Sequence, residues 1–145
     1  MNFRLQDIRE NMELSQKEVA DILKVSQPTY SRWEKEVEII PLNKLILLAN
    51  YYGISLDYIC NLSNIKKESK AYNYKVDKKI SGNNIVTLRK EKNLTQKELA
   101  LFLNTTPSTV CAYEKGKTLI LTSFAYQICK RYNVSMDYIC GITKD

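Results

Sequence analysis

The residues with most to offer chemically fall in one short stretch, Gln27-Pro28-Thr29-Tyr30-Ser31-Arg32. A guanidinium presents a rigid fork of N–H donors, and a primary amide sets a donor beside an acceptor. These arrays fit the edges of planar hydrogen-bonding partners: Arg32 suits the O6/N7 edge of guanine and Gln27 that of adenine. Eighty residues further on, Pro107-Ser108-Thr109-Val110-Cys111-Ala112 offers only the hydroxyl of Ser108 and the methyl of Ala112, and so should read fewer bases. Bond-breaking chemistry has little to work with. The chain has no His, which removes the commonest general base. Its four cysteines, Cys60, Cys111, Cys129 and Cys140, form no CxxC pair, so the usual zinc sites lack support. There is no Gly-rich phosphate loop and no nucleophile–base pair. We therefore expect recognition rather than catalysis, with no metal and no cofactor. The thiols read as reduced and mostly buried, with Cys111 the position where a redox-sensing thiol would sit.

Helical spacing decides which of these side chains are presented. At about 100° per residue, with Tyr30 turned to a core, Trp33 and Glu34 lie near it. Pro28, Arg32 and Lys35 point the other way, with Thr29 and Ser31 on the flanks. In the later stretch Val110 and Tyr113 turn inward while Ser108, Ala112 and Lys115 turn out. Ser26 and Thr106 are natural caps for such helices, and a proline in the first turn (Pro28, Pro107) loses little by lacking an N–H. A second helix precedes each. Ser15-Gln16-Lys17-Glu18 and Thr95-Gln96-Lys97-Glu98 are capping boxes, in which the hydroxyl accepts from the third amide and the Glu returns to the cap amide. Only Lys24-Val25-Ser26, or Asn104-Thr105-Thr106, separates the two helices, and Ala20 and Ala100 fall where the helices would cross. Two short helices on a tight turn make a helix-turn-helix, whose second helix offers its outer face to a major groove.

The whole arrangement occurs twice. Residues 3–62 align with 83–142 without a gap, and 17 of the 60 pairs are identical, among them Asp57-Tyr58-Ile59-Cys60 with Asp137-Tyr138-Ile139-Cys140. Each copy reads as five short helices. The first covers about 3–12 or 83–92, and the fourth is closed by Gly53 or Asn133. This predicts an all-α chain of two domains, residues 1–62 and 83–145. Residues 63–82 read as a basic linker ending in Ser81-Gly82, within which Tyr72, Tyr74 and Val76 alternate with polar residues as a short strand or an ordered tether would. The charge is uneven. Residues 1–62 hold 7 Lys/Arg and 9 Asp/Glu, a net −2, while the linker and second copy supply the rest of the overall +6. A basic second half suits a polyanionic partner. Nothing resembles a signal peptide or an 18-residue apolar span.

Leu14-Ser15-Gln16-Lys17-Glu18-Val19-Ala20, Val25 to Lys35, Leu48-Ala49 and Gly53-Ile54-Ser55-Leu56-Asp57 together resemble the phage-repressor (Cro-like, XRE-type) helix-turn-helix family of transcriptional regulators. The resemblance covers both repeats. It implies lambda-repressor-like five-helix domains that bind double-stranded DNA. It also implies that Gln16 and Gln96 grip a backbone phosphate and that Arg9 pairs with Glu34, and Arg89 with Glu114, as structural ion pairs. The base-reading positions fall on Gln27, Pro28 and Arg32, and on Pro107, Ser108 and Ala112. Thr29 and Thr109 touch phosphate or base, Ser31 flanks the reading face, and Lys115 and Lys117 lie along the backbone.

The chain departs from the pattern in two places. Lys24 and Asn104 stand where a turn glycine is usual, at a cost of about 1 kcal/mol for Lys. Copy one carries Lys35-Glu36-Val37-Glu38 where copy two keeps Lys115-Gly116-Lys117, and carboxylates beside phosphates repel. The expectation is a sequence-specific regulator, by default a cytoplasmic, nucleoid-associated repressor, acting through one or both repeats, as a monomer or a homodimer. Two half-sites lie about 34 Å apart, and a flexible linker of this length reaches about 25 Å on average. The alternatives are a helix-turn-helix module that binds a protein, as an antirepressor or adaptor does, and the antitoxin of a toxin–antitoxin pair.

Overall fold

The computed structural model describes residues 1–66 and 74–144. The chain forms two compact units, residues 1–73 and 74–145. In the first, α1 (Leu5–Asn11), α2 (Gln16–Leu23), α3 (Gln27–Glu34), α4 (Leu42–Tyr52) and α5 (Leu56–Ile59) follow one another. The local chemistry accounts for their ends. Both halves of the Ser15–Glu18 capping box are made, and Ser26 accepts from the Thr29 amide to open α3 with Pro28 in its first turn. Lys24 ends α2 in the left-handed region at φ 58°. The last carbonyl of that helix, on Leu23, accepts from Lys44 Nζ at 2.8 Å, so the strained turn has its polar group satisfied. The core is Leu5, Ile8, Val19, Ala20, Leu23, Tyr30, Trp33, Leu45, Leu48, Leu56 and Ile59, all buried.

The second unit repeats this with α6 (Lys78–Glu91), α7 (Gln96–Leu103), α8 (Pro107–Glu114), α9 (Thr122–Tyr132) and α10 (Met136–Ile139). The Thr95–Glu98 capping box is again complete, and Asn104 and Asn133 take the left-handed C-cap positions. It also corrects two expectations. Its first helix starts at Lys78, five residues ahead of the expected residue 83, because Asp77 accepts from the Lys79 and Ile80 amides and caps it there. Ser81 and Gly82 are therefore not the end of a linker but a buried part of a helix. Ser81 Oγ donates to the Ile139 carbonyl at 2.7 Å, and a Cβ on Gly82 would lie 2.5 Å from the Tyr113 carbonyl oxygen. Both units have the expected all-α helix-turn-helix frame, and one short ribbon is added to the second. β1 (Tyr74–Val76) pairs antiparallel with β2 (Ile142–Lys144), Val76 against Ile142, in a short ribbon. The alternation around Tyr74 thus marks a strand. Tyr72 and the rest of residues 67–73 lie outside the described residues, as does Asp145.

Candidate nucleic-acid interface

Each unit aims one helix outward. On α3, Tyr30 is fully buried and Trp33 nearly so. Gln27, Pro28, Arg32 and Lys35 are exposed, and Thr29 and Ser31 are half-buried. On α8, Val110 and Tyr113 are buried, Pro107, Ser108 and Lys115 are exposed, and Thr109, Cys111 and Ala112 are half-buried. The 100° arithmetic therefore places every outward and inward residue of α3 correctly, and misses on α8 only in that Ala112 is partly covered. Gln96, Pro107, Ser108, Cys111, Ala112, Lys115 and Lys117 line one shallow groove of about 340 Å³. In both units the cap hydroxyl and the following threonine are bonded to each other, Ser26 to Thr29 at 2.8 Å and Thr106 to Thr109 at 3.0 Å. The four cysteines are Cys60, Cys111, Cys129 and Cys140, none of them in a disulfide. Three are buried, and Cys111 is half-buried in the groove.

The outward helix is held from behind by an ion pair. Arg9 Nε donates to Glu34 at 2.6 Å and Arg89 Nε to Glu114 at 2.7 Å. In both pairs a second bond from Nη2 makes the contact bidentate. The carboxylate side chains are only 2% and 5% exposed, so these pairs sit inside the fold and tie its first helix to the end of its third. Burial pushes the Glu34 carboxyl up, but the hydrogen bonds from Arg9 and Gln16 outweigh it and leave it below the ordinary carboxylate range.

Gln16 Nε2 donates to Glu34 Oε1 at 2.9 Å, and Gln96 Nε2 to Glu114 at 3.0 Å. In the first unit Gln27 Nε2 also donates to Gln16 Oε1 at 2.6 Å, extending the chain of bonds from the buried pair to the exposed start of α3. That chain stops at Gln96 in the second unit, where Pro107 replaces the glutamine. These amides are thus oriented by the fold, which favours precise contact with a rigid partner.

Two polar residues that the sequence reading treated as liabilities have internal partners. Glu36 accepts from the Asn2 and Phe3 amides at 3.0 and 3.3 Å. Glu38 pairs with Arg32, Oε1 to Nε, at 3.2 Å. Neither partner follows from spacing alone. The first spans 34 residues, and the second needs the turn in which the Val37 amide returns to the Arg32 carbonyl at 3.0 Å.

A family described as helix-turn-helix matches residues 5–59 and again residues 85–139. The chain belongs to the helix-turn-helix family. Among curated relatives it is 33% identical over 60 residues to an uncharacterized HTH-type transcriptional regulator, YobD, of Bacillus subtilis strain 168. That alignment covers 41% of this chain and 54% of the relative. It is 36% identical over 63 residues to the antitoxin PezA of Streptococcus pneumoniae serotype 4, covering 43% of this chain and 40% of that protein. The chain thus spans about half the length, or less, of these relatives. No solved structure matches it. No helix among the described residues is long and apolar enough to cross a membrane.

Proposed function

We propose that this helix-turn-helix chain is a sequence-specific double-stranded-DNA-binding transcriptional regulator, by default a repressor working on the nucleoid in the cytoplasm. The observation that carries the reading is the pair of outward helices, α3 and α8, each braced by a buried Arg–Glu bridge and each beside an oriented glutamine. A braced helix keeps its donors in place before the partner arrives, and that preorganisation converts contacts into affinity. Gln16 and Gln96 take phosphates, as do Lys115 and Lys117. Gln27, Pro28 and Arg32 meet base edges, with Thr29 and Ser31 beside them, while Pro107, Ser108, Thr109 and Ala112 make a poorer reading set. Repeat two therefore anchors and repeat one discriminates, on two half-sites of one duplex or through a homodimer. No enzymatic step enters the account.

A titration of duplex DNA against salt tests it. Contacts to several phosphates release counterions, so affinity should fall by a power law in salt, with a slope near −0.9 per phosphate contacted. Binding that is absent at 50 mM salt, or that does not change up to 200 mM, would refute the reading. The likeness to an antitoxin supports a second reading, in which the same DNA-binding chain is the antitoxin of a toxin–antitoxin pair and binds a cognate toxin protein. Coexpression with the product of a neighbouring gene, followed by co-purification, separates the two.

A further inference from the structure

The Arg32–Glu38 pair is exposed, 46% and 54% by side chain, and an exposed pair contributes little to stability. It lies on the face proposed to meet DNA, where a carboxylate would repel phosphates and lower affinity. A group that costs affinity without stabilising the fold calls for another role, and the geometry supplies one. Glu38 Oε1 forms an ion pair with Nε of Arg32 at 3.2 Å, on the stem side of the two terminal NH2 groups. Those two groups form the fork that a guanine O6/N7 edge accepts. A free Arg side chain loses rotamer freedom on docking, and the ion pair at Nε removes part of that loss beforehand.

Repeat two provides the second observation. The same turn is present, with the Lys117 amide on the Ala112 carbonyl at 3.0 Å. There Ala112 replaces Arg32 and Thr118 replaces Glu38, so both members of the pair are missing together.

From this we infer that Glu38 is a positioning residue for base discrimination. It aims the Arg32 fork at one guanine, giving up general affinity for preference. The inference rests on the DNA-binding reading and goes beyond it, since it assigns the role to a carboxylate that touches no base.

The test uses the full chain and a duplex carrying its selected site, alongside the same duplex with the Arg32-dependent guanine replaced by adenine and a random duplex of equal length. Arg32→Ala should reduce the guanine preference by roughly 5- to 100-fold. Glu38→Ala should reduce it several-fold while raising affinity for random DNA. Glu38→Asp should leave affinity for random DNA nearly unchanged but lose part of the preference, because the shorter side chain keeps the charge and gives up the 3.2 Å contact with Nε. The double variant Arg32→Ala/Glu38→Ala should show no more loss of preference than Arg32→Ala alone.

If Glu38→Asp keeps the full wild-type preference, the carboxylate acts through charge only and the inference is wrong. It is also wrong if either variant sharpens the preference, since Glu38 would then be masking Arg32. A selective wild type whose preference survives Arg32→Ala overturns the inference but leaves the function standing. A wild type that retains no duplex at 50 mM salt removes the function itself.

Discussion

The two repeats agree where they face inward and differ where they face out. Their Arg–Glu bridges match to 0.1 Å in the shorter bond, 2.6 against 2.7 Å. Both capping boxes are complete, and both turns between the second and third helices use a left-handed residue at φ 58°. On the outer face Thr29/Thr109 and Lys35/Lys115 are kept, but most other side chains have changed. Gln27 faces Pro107 in the alignment, Arg32 faces Ala112, Val37 faces Lys117 and Glu38 faces Thr118. A duplicated domain is held to its scaffold by packing and hydrogen bonding, while its solvent face is free to specialise. On the proposed reading, one copy carries more of the base-reading groups and the other more of the backbone-gripping cations. Each proposed contact role is thus filled somewhere in the chain, though neither copy fills all of them.

If the scaffolds are equivalent, removing their shared brace should damage both equally. Arg9→Ala and Arg89→Ala each strand a carboxylate inside the fold and should cost about 3 kcal/mol, read from urea unfolding followed separately in each repeat. A difference between them of more than about 1 kcal/mol would mean the braces are not alike, since 1.4 kcal/mol is a tenfold change in population. Acid probes the same brace in repeat one. The Glu34 carboxyl is held below its ordinary value of 4.5, so its contribution is present above that pH and is lost as the pH falls through the depressed value. Glu34→Gln should flatten that part of the acid limb.

The next effect is asymmetric and sharpens the contrast. Gly82→Ala drives a methyl into the Tyr113 and Glu114 carbonyls and should cost about 2 kcal/mol. The matching position in repeat one is the exposed Asn2, at φ 58°, where alanine should cost no more than about 1 kcal/mol. Equal losses would show that the longer first helix of repeat two is not the packed element described above. Cap removal returns to symmetry, Ser15→Ala and Thr95→Ala costing about 1 kcal/mol each. The smallest effect concerns the outer faces. Lys117→Ala should lower the salt slope of DNA binding by about 1 without changing sequence preference, and Val37→Lys should raise it by about 1. No change from Val37→Lys would take repeat one off the duplex backbone.

Much of this was legible in the sequence because the signals are local. A capping box is four consecutive residues, and the burial of Tyr30 and Trp33 follows from helical period. The family likeness then implied the Arg9–Glu34 and Arg89–Glu114 braces. Elements that depend on distant contacts were not legible. Residues 78–82 look like solvated linker because Lys78 and Lys79 are charged and Gly82 signals a turn. They become helix because Asp77 caps them and because Gly82 fits under carbonyls of α8 that only the folded unit brings there. β2 carried no alternation of its own and exists because β1 lies beside it. Glu38 read as a repulsive charge because its partner is supplied by a turn whose course spacing does not reveal.

The central claim is that the outward face of α3 enters a groove and reads bases there. Selection of bound sequences from a random duplex pool, run in parallel for the wild type and Arg32→Ala, tests it most directly. The account predicts an enriched motif with the wild type that loses its guanine preference at one position in the variant. Failure to enrich any motif, or the same motif from both proteins, would contradict it.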